Sequence, residues 1–302
     1  MQALRNNHTL QGIVLAVAAT LLWSGNFVIS RAVSHDIQPI SLAFYRWLTA
    51  TLIIAPFVWK KFRLEQPIVT ANARYLVLVS LTGIALFNTF VYVAGHYTSA
   101  INMALIGTTS SPIFATIMAV IFLKEKLNAF RIAGMIICIS GILFLISNGS
   151  FSKLATFHFS RGDLWILAGA FAFAIYNIQV RKKPLGISAV NFLFVIFGIG
   201  TLMLFPFFLK ELLLDTPTNW NPVLIGSIIY LGAGTSVIAF LCWNMAIHHL
   251  GAGRTVLFGN LIPVFSIFEA VLFLGEKMST AHIFSSAAVI AGLTIANLKA
   301  HR

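Results

Sequence analysis

Charged residues are absent from long stretches of this chain, and that absence limits its possible folds more than any other feature. Between Arg74 and Lys124 there is no Asp, Glu, Lys or Arg, and the same holds between Asp215 and Arg254. A helix needs about 20 apolar residues to cross the hydrocarbon core of a bilayer, so each stretch has room for two crossings. Only 9% of the 302 residues are charged, against about 25% in a soluble domain. The sequence therefore predicts an integral membrane protein.

The apolar runs predict an all-α fold with ten transmembrane helices. The two long stretches are expected to turn near His96-Tyr97-Thr98 and near His248-His249. The first apolar run is long enough to span the membrane and lacks an Ala-x-Ala cleavage site, so we interpret it as the first helix and not as a cleaved signal peptide. The predicted spans are 12–31, 38–59, 74–95, 99–123, 128–147, 162–181, 188–210, 222–246, 252–274 and 280–298.

Basic residues are distributed unequally between the two sides of the predicted membrane protein. Lys and Arg near helix ends favour the cytoplasm. The side that holds both termini carries fourteen of them: Arg5, Lys60, Lys61, Arg63, Arg74, Lys124, Lys126, Arg131, Arg181, Lys182, Lys183, Arg254, Lys299 and Arg302. The opposite side carries only five: Arg31, Lys153, Arg161, Lys210 and Lys277. Both termini are therefore expected in the cytoplasm, and the formal charge of +12 reflects topology, not binding of nucleic acid.

The second half of the chain repeats the first at an offset of 151 residues. Residues 112–126 align with residues 263–277, and eight of the fifteen positions match, including the proline, glutamate and lysine. The same offset pairs Asn26 with Asn177 and Gly83 with Gly234. We therefore predict two halves, 1–151 and 152–302, with five helices each. Because five is odd, the halves must be inverted, which is the usual construction of secondary transporters.

Several short segments resemble a known family. They are residues 22–27 (Leu-Trp-Ser-Gly-Asn-Phe), 43–48 (Ala-Phe-Tyr-Arg-Trp-Leu), 97–100 (Tyr-Thr-Ser-Ala) and the two repeated Pro-to-Glu segments. Across its whole length the chain resembles the EamA-like ten-helix branch of the drug/metabolite transporter superfamily. Within that branch it resembles exporters of aromatic and neutral amino acids of the YddG type.

The resemblance implies export of a small metabolite, such as an aromatic or neutral amino acid, by alternating access through a central cavity. A proton or substrate gradient is the implied energy source, in the inner membrane of a bacterium. Import, or transport of another class of metabolite or drug, stays open within the same superfamily. Glu269 departs from the family pattern, because relatives usually carry an apolar or small residue there, so the cavity is not expected to be purely hydrophobic.

Apart from the ends of the helices, two charged residues lie inside predicted spans, where a charge costs about 2.5–3.5 kcal/mol unless it is paired or faces water. Arg46 and Glu269 lie at similar depths from the outer ends of their helices. They are expected to pair, or to bind the carboxylate and ammonium groups of a zwitterionic substrate. The alternatives are that Arg46 braces its helix and that Glu269 reaches outward to the surface. Since Glu269 shares a helical face with Pro263 and Ser266, we expect it to face the interior.

Amide and aromatic residues near mid-span are the other candidates for contact with substrate. Asparagine side chains can also bond between helices for about 0.6 kcal/mol each, which is the structural alternative. The candidate substrate-binding residues are Trp23, Asn26, Asn88, Tyr92, Tyr176, Asn177, Trp243, Asn244 and Glu269. Pro112 and Pro263 are predicted to break their helices and act as hinges.

Other classes of function find little support in the sequence. An intramembrane enzyme is the remote alternative, but HExxH and GxSxG motifs are absent and no Asp lies in a predicted membrane core. Cys138 and Cys242 have no metal-ligand spacing, so we interpret both as packing residues. No cofactor, metal or nucleic-acid partner is expected, and the partners are a small-molecule substrate and the lipid bilayer.

The charge asymmetry can be tested with reporter fusions. A reporter that is active only in the cytoplasm, fused after Arg302, is expected to be active, because fourteen basic residues favour that side. A periplasmic reporter at the same position serves as the reciprocal control. Activity of the periplasmic reporter alone would contradict both the orientation and the even number of crossings.

Overall fold

The computed structural model describes residues 2–123, 129–147, 149–150, 160–180, 182–214, 217–250, 255 and 258–296. These residues form ten helices and short connections, with no β-strand among them. Seven of the helices are long and apolar enough to span a membrane, and α5, α9 and α10 are shorter apolar helices. The helices are α1 (Gln2–Ala32), α2 (Pro39–Ala71), α3 (Ala73–Gly95), α4 (Ala100–Leu123), α5 (Ala129–Ile146), α6 (Arg161–Val180), α7 (Ala189–Leu214), α8 (Pro222–Leu250), α9 (Gly259–Leu274) and α10 (Thr280–Ala296).

The ten helices confirm the ten predicted spans, with differences at their ends. Helix α2 continues to Ala71, twelve residues past its predicted end, because the polar segment after Trp59 stays helical once it has left the apolar run. His248 and His249 form the last turn of α8, where a turn was predicted. The predicted boundary between the halves, at 151 and 152, lies outside the described residues.

The predicted break at Pro112 is wrong for the backbone of α4. That helix is continuous from Ala100 to Leu123 with the proline inside it. Helix α9 does change at its proline, since a 3₁₀ turn at Gly259–Leu261 precedes an α-helix in which Pro263 occupies the first turn. A proline in the first helical turn removes no helix hydrogen bond, whereas one in the interior does.

Local signals in the sequence set several helix ends. Pro39 and Pro222 occupy the first turns of α2 and α8, where their missing N–H is not needed. Ser160 and Asp163 cap α6 reciprocally, because each backbone N–H donates to the other's side chain. Helix α9 ends at Gly275, whose φ of 64° is a left-handed conformation that suits glycine.

The helix packing follows the internal repeat. Helix α1 packs against α8 and α9, and its counterpart α6 packs against α3 and α4. Likewise α2 contacts α8 while α7 contacts α3. The pairs α2–α7, α4–α9 and α5–α10 each join a helix to its own counterpart. Most of the packing between helices therefore joins one half to the other.

Each half also contains one π-helical segment, at equivalent positions. The segments are Leu81–Leu86 in α3 and Tyr230–Ile238 in α8, and adding 151 to the first places it inside the second. Gly83 lies in the first, where a Cβ atom would come within 2.1 Å of the Tyr176 ring. The repeat glycine therefore lets α6 approach α3 closely. π-Helical turns are rare and occur often at functional sites.

Helices α2 and α7 cap each other with glutamates. The Glu211 carboxylate of α7 accepts from the backbone N–H of Ile40 at 3.1 Å and from that of Ser41 at 2.6 Å, at the start of α2. At the other end of the pair, Glu65 of α2 accepts from the N–H of Ser188 at 3.0 Å, just before α7. A carboxylate at a helix N-terminus satisfies unpaired N–H groups and complements the helix dipole.

Glu276 makes a third contact of this kind. It follows α9 and accepts from the backbone N–H groups of Ala100 at 2.8 Å and Ile101 at 3.2 Å, at the start of α4. Its counterpart in the repeat, Glu125, lies outside the described residues. The three contacts tie the two halves together at both ends of the bundle.

The cap at Glu211 can be tested by substitution. Glu211→Gln is expected to lower the free energy of unfolding by about 1–3 kcal/mol, because it weakens charge-assisted hydrogen bonds to one buried and one partly buried N–H group. Denaturation of the purified protein in detergent measures the change. Lys210→Gln is the matched control, since that neighbouring side chain is exposed. Equal stability of the two variants would show that the cap contributes nothing.

Candidate functional site

A buried arginine lies at the centre of the described structure. Arg46 of α2 is 5% exposed. Its Nη1 atom donates to the amide oxygens of Asn26 at 2.6 Å and Asn88 at 2.7 Å. Nη1 also donates to the Tyr92 hydroxyl at 2.8 Å, and Nε donates to the Ser236 hydroxyl at 3.0 Å. We call these five residues the arginine cluster; they join α1, α2, α3 and α8.

The acceptors in the arginine cluster are neutral. Within the described part of the chain, the hydrogen bonds of Arg46 run to amides and hydroxyls and leave from Nε and Nη1. The guanidinium also lies 4.6 Å from the centroid of the Trp47 ring, a cation–π contact. A buried charge is stabilised best by an opposite charge, so this positive charge is oriented but not neutralised by its acceptors. The arrangement suits the binding of an anionic group.

The π-helical segment of α8 positions one member of the cluster. The Ser236 hydroxyl donates to the Leu231 carbonyl, five residues earlier, at 2.9 Å. This spacing belongs to the π-helix, whose carbonyls are offset by one residue from those of an α-helix. The Ser236 hydroxyl therefore donates its one proton to the backbone, and its oxygen accepts the hydrogen bond from Arg46.

Glu269 is a second buried charged group near the arginine cluster, and it is incompletely bonded. Its Oε1 atom accepts from the Ser24 hydroxyl at 2.8 Å, while Oε2 is buried and has no hydrogen-bond partner in the described structure. The side chain is 8% exposed, so it faces the interior as predicted and does not reach outward to the surface. The predicted direct pair with Arg46 is not formed, because each group bonds to other residues.

Neighbouring contacts hold Glu269 against α1. The Ser266 hydroxyl, one turn earlier in α9, donates to the Ser24 carbonyl at 3.1 Å. Ser24 therefore receives a bond from Ser266 and gives one to Glu269. Since Ser24 and Asn26 are two residues apart in α1, that helix connects the glutamate to the arginine cluster.

Three aromatic rings form a group beside these polar residues. Trp23 lies 5.5 Å from Phe240 and 5.1 Å from Trp243, measured between ring centroids. The Trp23 indole N–H donates to the carbonyl of Thr235, inside the π-helical segment, at 3.0 Å. We call Trp23, Phe240 and Trp243 the aromatic group. Trp23 and Trp243 are half-buried.

Tyr230 lies against α1 beside these residues and was not anticipated from the sequence. Its hydroxyl donates to the Leu22 carbonyl at 2.9 Å. A Cβ atom on Gly25 would come within 2.5 Å of that hydroxyl, so the ring needs a glycine opposite it. Gly25, inside the segment that carries the family resemblance, was the available signal. Sequence reasoning also missed Ser24 and Ser236, because single serines are common in membrane helices.

The remaining predicted site residues lie elsewhere. Tyr176 covers Gly83 and stacks on Phe173 at 5.5 Å. Asn177 is half-buried in α6, and Asn244 is exposed on α8. Of the nine candidate substrate-binding residues, the structure groups six around Arg46 and the neighbouring aromatic rings: Trp23, Asn26, Asn88, Tyr92, Trp243 and Glu269.

The fold and this site together define a class of protein. Ten helices in two inverted halves, with buried polar residues between them, are the construction of secondary transporters. Comparison with known proteins gives the family: the EamA-like transporter family matches residues 10–147 and, a second time, residues 160–298. The chain belongs to the EamA-like transporter family, and it is a multi-pass membrane transporter.

Individual relatives match over nearly the whole chain. An uncharacterized transporter of Archaeoglobus fulgidus is 26% identical over 292 residues, which cover 96% of this chain and 98% of the relative. The uncharacterized transporter YyaM of Bacillus subtilis is 25% identical, covering 94% of this chain and 92% of the relative. A crystal structure that is 18% identical and covers 96% of both chains superposes with a TM-score of 0.63, which shows a shared fold.

The role of Arg46 in the cluster can be tested by a substitution that keeps its charge. Arg46→Lys is expected to lower the free energy of unfolding by about 2 kcal/mol, because one ammonium group cannot reach the acceptors on α1, α3 and α8 together. Denaturation in detergent measures it. Arg63→Lys, at an exposed position, is the matched control. If the two variants unfold alike, the cluster does not stabilise the bundle.

Proposed function

We propose that the chain exports a small zwitterionic metabolite, such as an aromatic or neutral amino acid, by alternating access between its inverted halves. The observation that carries this proposal is the pair of incompletely neutralised charges, Arg46 and Glu269. In this proposal the substrate carboxylate binds the free side of the Arg46 guanidinium. The substrate ammonium binds Oε2 of Glu269.

A zwitterion fits this pair better than a singly charged molecule. An amino acid carries one positive and one negative group and no net charge, so both buried charges gain a partner at once. A simple amine would leave Arg46 without a counter-charge, and a simple acid would leave Glu269 without one. Leaving one buried charge unpaired costs several kcal/mol, which is the basis of the expected selectivity.

The aromatic group supports an apolar or aromatic side chain on the substrate. Trp23 and Trp243 lie beside the polar residues and are only half-buried, so their faces can stack on a ring. Aromatic pairs contribute about 0.5–1.5 kcal/mol beyond the burial of area. These contacts favour the exporters of the YddG type over carriers of phosphorylated metabolites, which would need several interior cations.

The membrane and the orientation of the protein are proposed from its charge distribution and from a relative. We place the protein in the inner membrane of a bacterium with both termini in the cytoplasm, in agreement with the unequal distribution of basic residues. YhbE of Escherichia coli, 22% identical over 85% of this chain and 79% of the relative, is named an uncharacterized inner membrane transporter. A proton or substrate gradient drives transport, the halves 1–151 and 152–302 are the moving units, and Pro112 and Pro263 are the proposed hinges.

Counterflow in proteoliposomes tests the proposal. Vesicles loaded with unlabelled phenylalanine are expected to accumulate labelled phenylalanine. Phenylalanine itself should compete for this uptake at least about tenfold better than phenethylamine, which lacks the carboxylate, or 3-phenylpropionate, which lacks the amine. A panel of other labelled amino acids then defines the side-chain preference.

The variant Glu269→Gln makes the test specific to the site. It is expected to reduce phenylalanine counterflow strongly and to abolish the advantage of phenylalanine over 3-phenylpropionate, because the ammonium partner is lost. Asp36→Asn is the matched control, since that carboxylate lies in the connection between α1 and α2 and accepts from the exposed Asn219 side chain. Competition by phenethylamine equal to that by phenylalanine would contradict the proposal. Transport of a different class of metabolite would favour the broader alternative within the family.

A further inference from the structure

Helix α2 is longer than the membrane is thick. It has 33 residues, about 50 Å at a rise of 1.5 Å per residue, whereas the hydrocarbon core is about 30 Å thick. Lys60 lies about 30 Å along the axis from Pro39, where the helix begins. The part of α2 from Lys60 to Ala71 therefore lies at the level of the lipid headgroups and beyond them.

The outward face of α2 at this level is both basic and apolar. Phe57 and Leu64, each 81% exposed, flank the exposed Lys60 and Lys61 on one helical face. The opposite face is buried, as Val58 at 0% exposure shows. The exposed side chains are thus directed away from the protein, toward lipid and headgroups.

A stacked pair adds a third cation to this face. The guanidinium of Arg63 lies 5.3 Å from the centroid of the Trp59 ring. Tryptophan is enriched where the hydrocarbon core meets the headgroups, so Trp59 marks that level independently of the helix length. The stacking orders the Arg63 side chain on the exposed side of α2, one turn from Lys60, and lowers the entropy that it would lose on binding a phosphate.

The connection between α6 and α7 extends the same surface. It packs against α2, because a Cβ atom on Gly186 would come within 2.7 Å of Ile68. It presents the exposed Lys182, and Leu185, which is 95% exposed. A leucine so fully exposed gains free energy by entering a membrane interface.

Acidic residues do not balance this charge. Residues 60–74 and 182–188 contain six basic residues and one acidic residue, Glu65. The Glu65 carboxylate accepts hydrogen bonds from Ser188 and from the Asn191 amide at 2.6 Å. It is thus engaged in capping α7, although its charge also acts on Lys61.

We propose that this surface binds the phosphate headgroups of anionic phospholipids. We define the basic surface as Lys60, Lys61, Arg63, Arg74 and Lys182. Each basic residue close to an anionic membrane surface contributes to attraction, and several together select anionic over zwitterionic lipids. Phe57 and Leu64 provide apolar contacts on both sides of the headgroup level. The binding holds the end of α2 and the α6–α7 connection against one leaflet.

Lipid retention by the full-length purified protein tests the proposal. The protein is mixed in detergent with equal amounts of phosphatidylglycerol and phosphatidylcholine, and native mass spectrometry measures the bound lipids. The wild type is expected to retain phosphatidylglycerol in preference. The triple variant Lys60→Gln, Lys61→Gln, Arg63→Gln should lose this preference by at least about tenfold.

A second triple variant controls for net charge. Arg161→Gln, Lys210→Gln, Lys277→Gln removes the same charge from exposed positions at the opposite end of the bundle. It is expected to retain phosphatidylglycerol within about twofold of the wild type. Equal loss of phosphatidylglycerol in both triple variants would overturn the proposal, since net charge alone would then explain the retention. Undiminished retention in the variant Lys60→Gln, Lys61→Gln, Arg63→Gln would overturn it as well.

Fluorescence quenching gives an answer that does not depend on folding of the triple variant. One set of vesicles contains brominated phosphatidylglycerol and unlabelled phosphatidylcholine, and a second set contains brominated phosphatidylcholine and unlabelled phosphatidylglycerol. The fluorescence of Trp59 in each set is the difference between the wild type and Trp59→Phe. Brominated phosphatidylglycerol at a quarter of the lipid should quench Trp59 at least twofold more than brominated phosphatidylcholine at that fraction. Equal quenching would overturn the proposal.

Discussion

The charge of Arg46, buried among neutral acceptors, is the interaction on which the centre of this transporter depends. A guanidinium inside a membrane protein must be supplied with acceptors, and here they come from α1, α3 and α8. Because α8 belongs to the second half and the others to the first, satisfying this one charge fixes the halves relative to each other. Neutral acceptors orient the cation without cancelling it, which keeps it available for a counter-charge.

The inverted repeat is preserved in the helix packing but only partly in the arginine cluster. Both halves keep a π-helical segment and the glycine in it, and their helices pack in matching pairs. At the same offset of 151, however, Arg46 corresponds to Phe197, Asn88 to Ala239 and Tyr92 to Trp243. The first half therefore supplies Arg46 and most of its acceptors, whereas the second half supplies Glu269, Ser236 and two of the three rings of the aromatic group. Because the two charged groups come from different halves, a zwitterion that bound both would bind in a single orientation.

The sequence was sufficient for the number of helices, their inversion and the inward direction of Glu269. The lengths of the runs without charged residues give the number of membrane crossings. The helical face that Glu269 shares with Pro263 indicates that its side chain faces the interior. It was not sufficient for the partners of Arg46, because depth along a helix does not give rotation about its axis. Its expected partner was Glu269, but the amides of Asn26 and Asn88 are closer. Asn244 illustrates the same limit, since a suitable residue at a suitable depth is exposed.

The carboxylate caps limit how the bundle can move. Glu211 and Glu276 bind the starts of α2 and α4 at one end of the bundle, while Glu65 binds the start of α7 at the other. In each case the glutamate and the capped helix belong to different halves, so separating the halves at either end breaks charge-assisted bonds and exposes helix N–H groups. Water can satisfy those groups once that end has opened, whereas in a closed, dry interface they need the carboxylate. The caps therefore stabilise closure at each end and penalise partial opening, as the alternating-access mechanism proposed above requires.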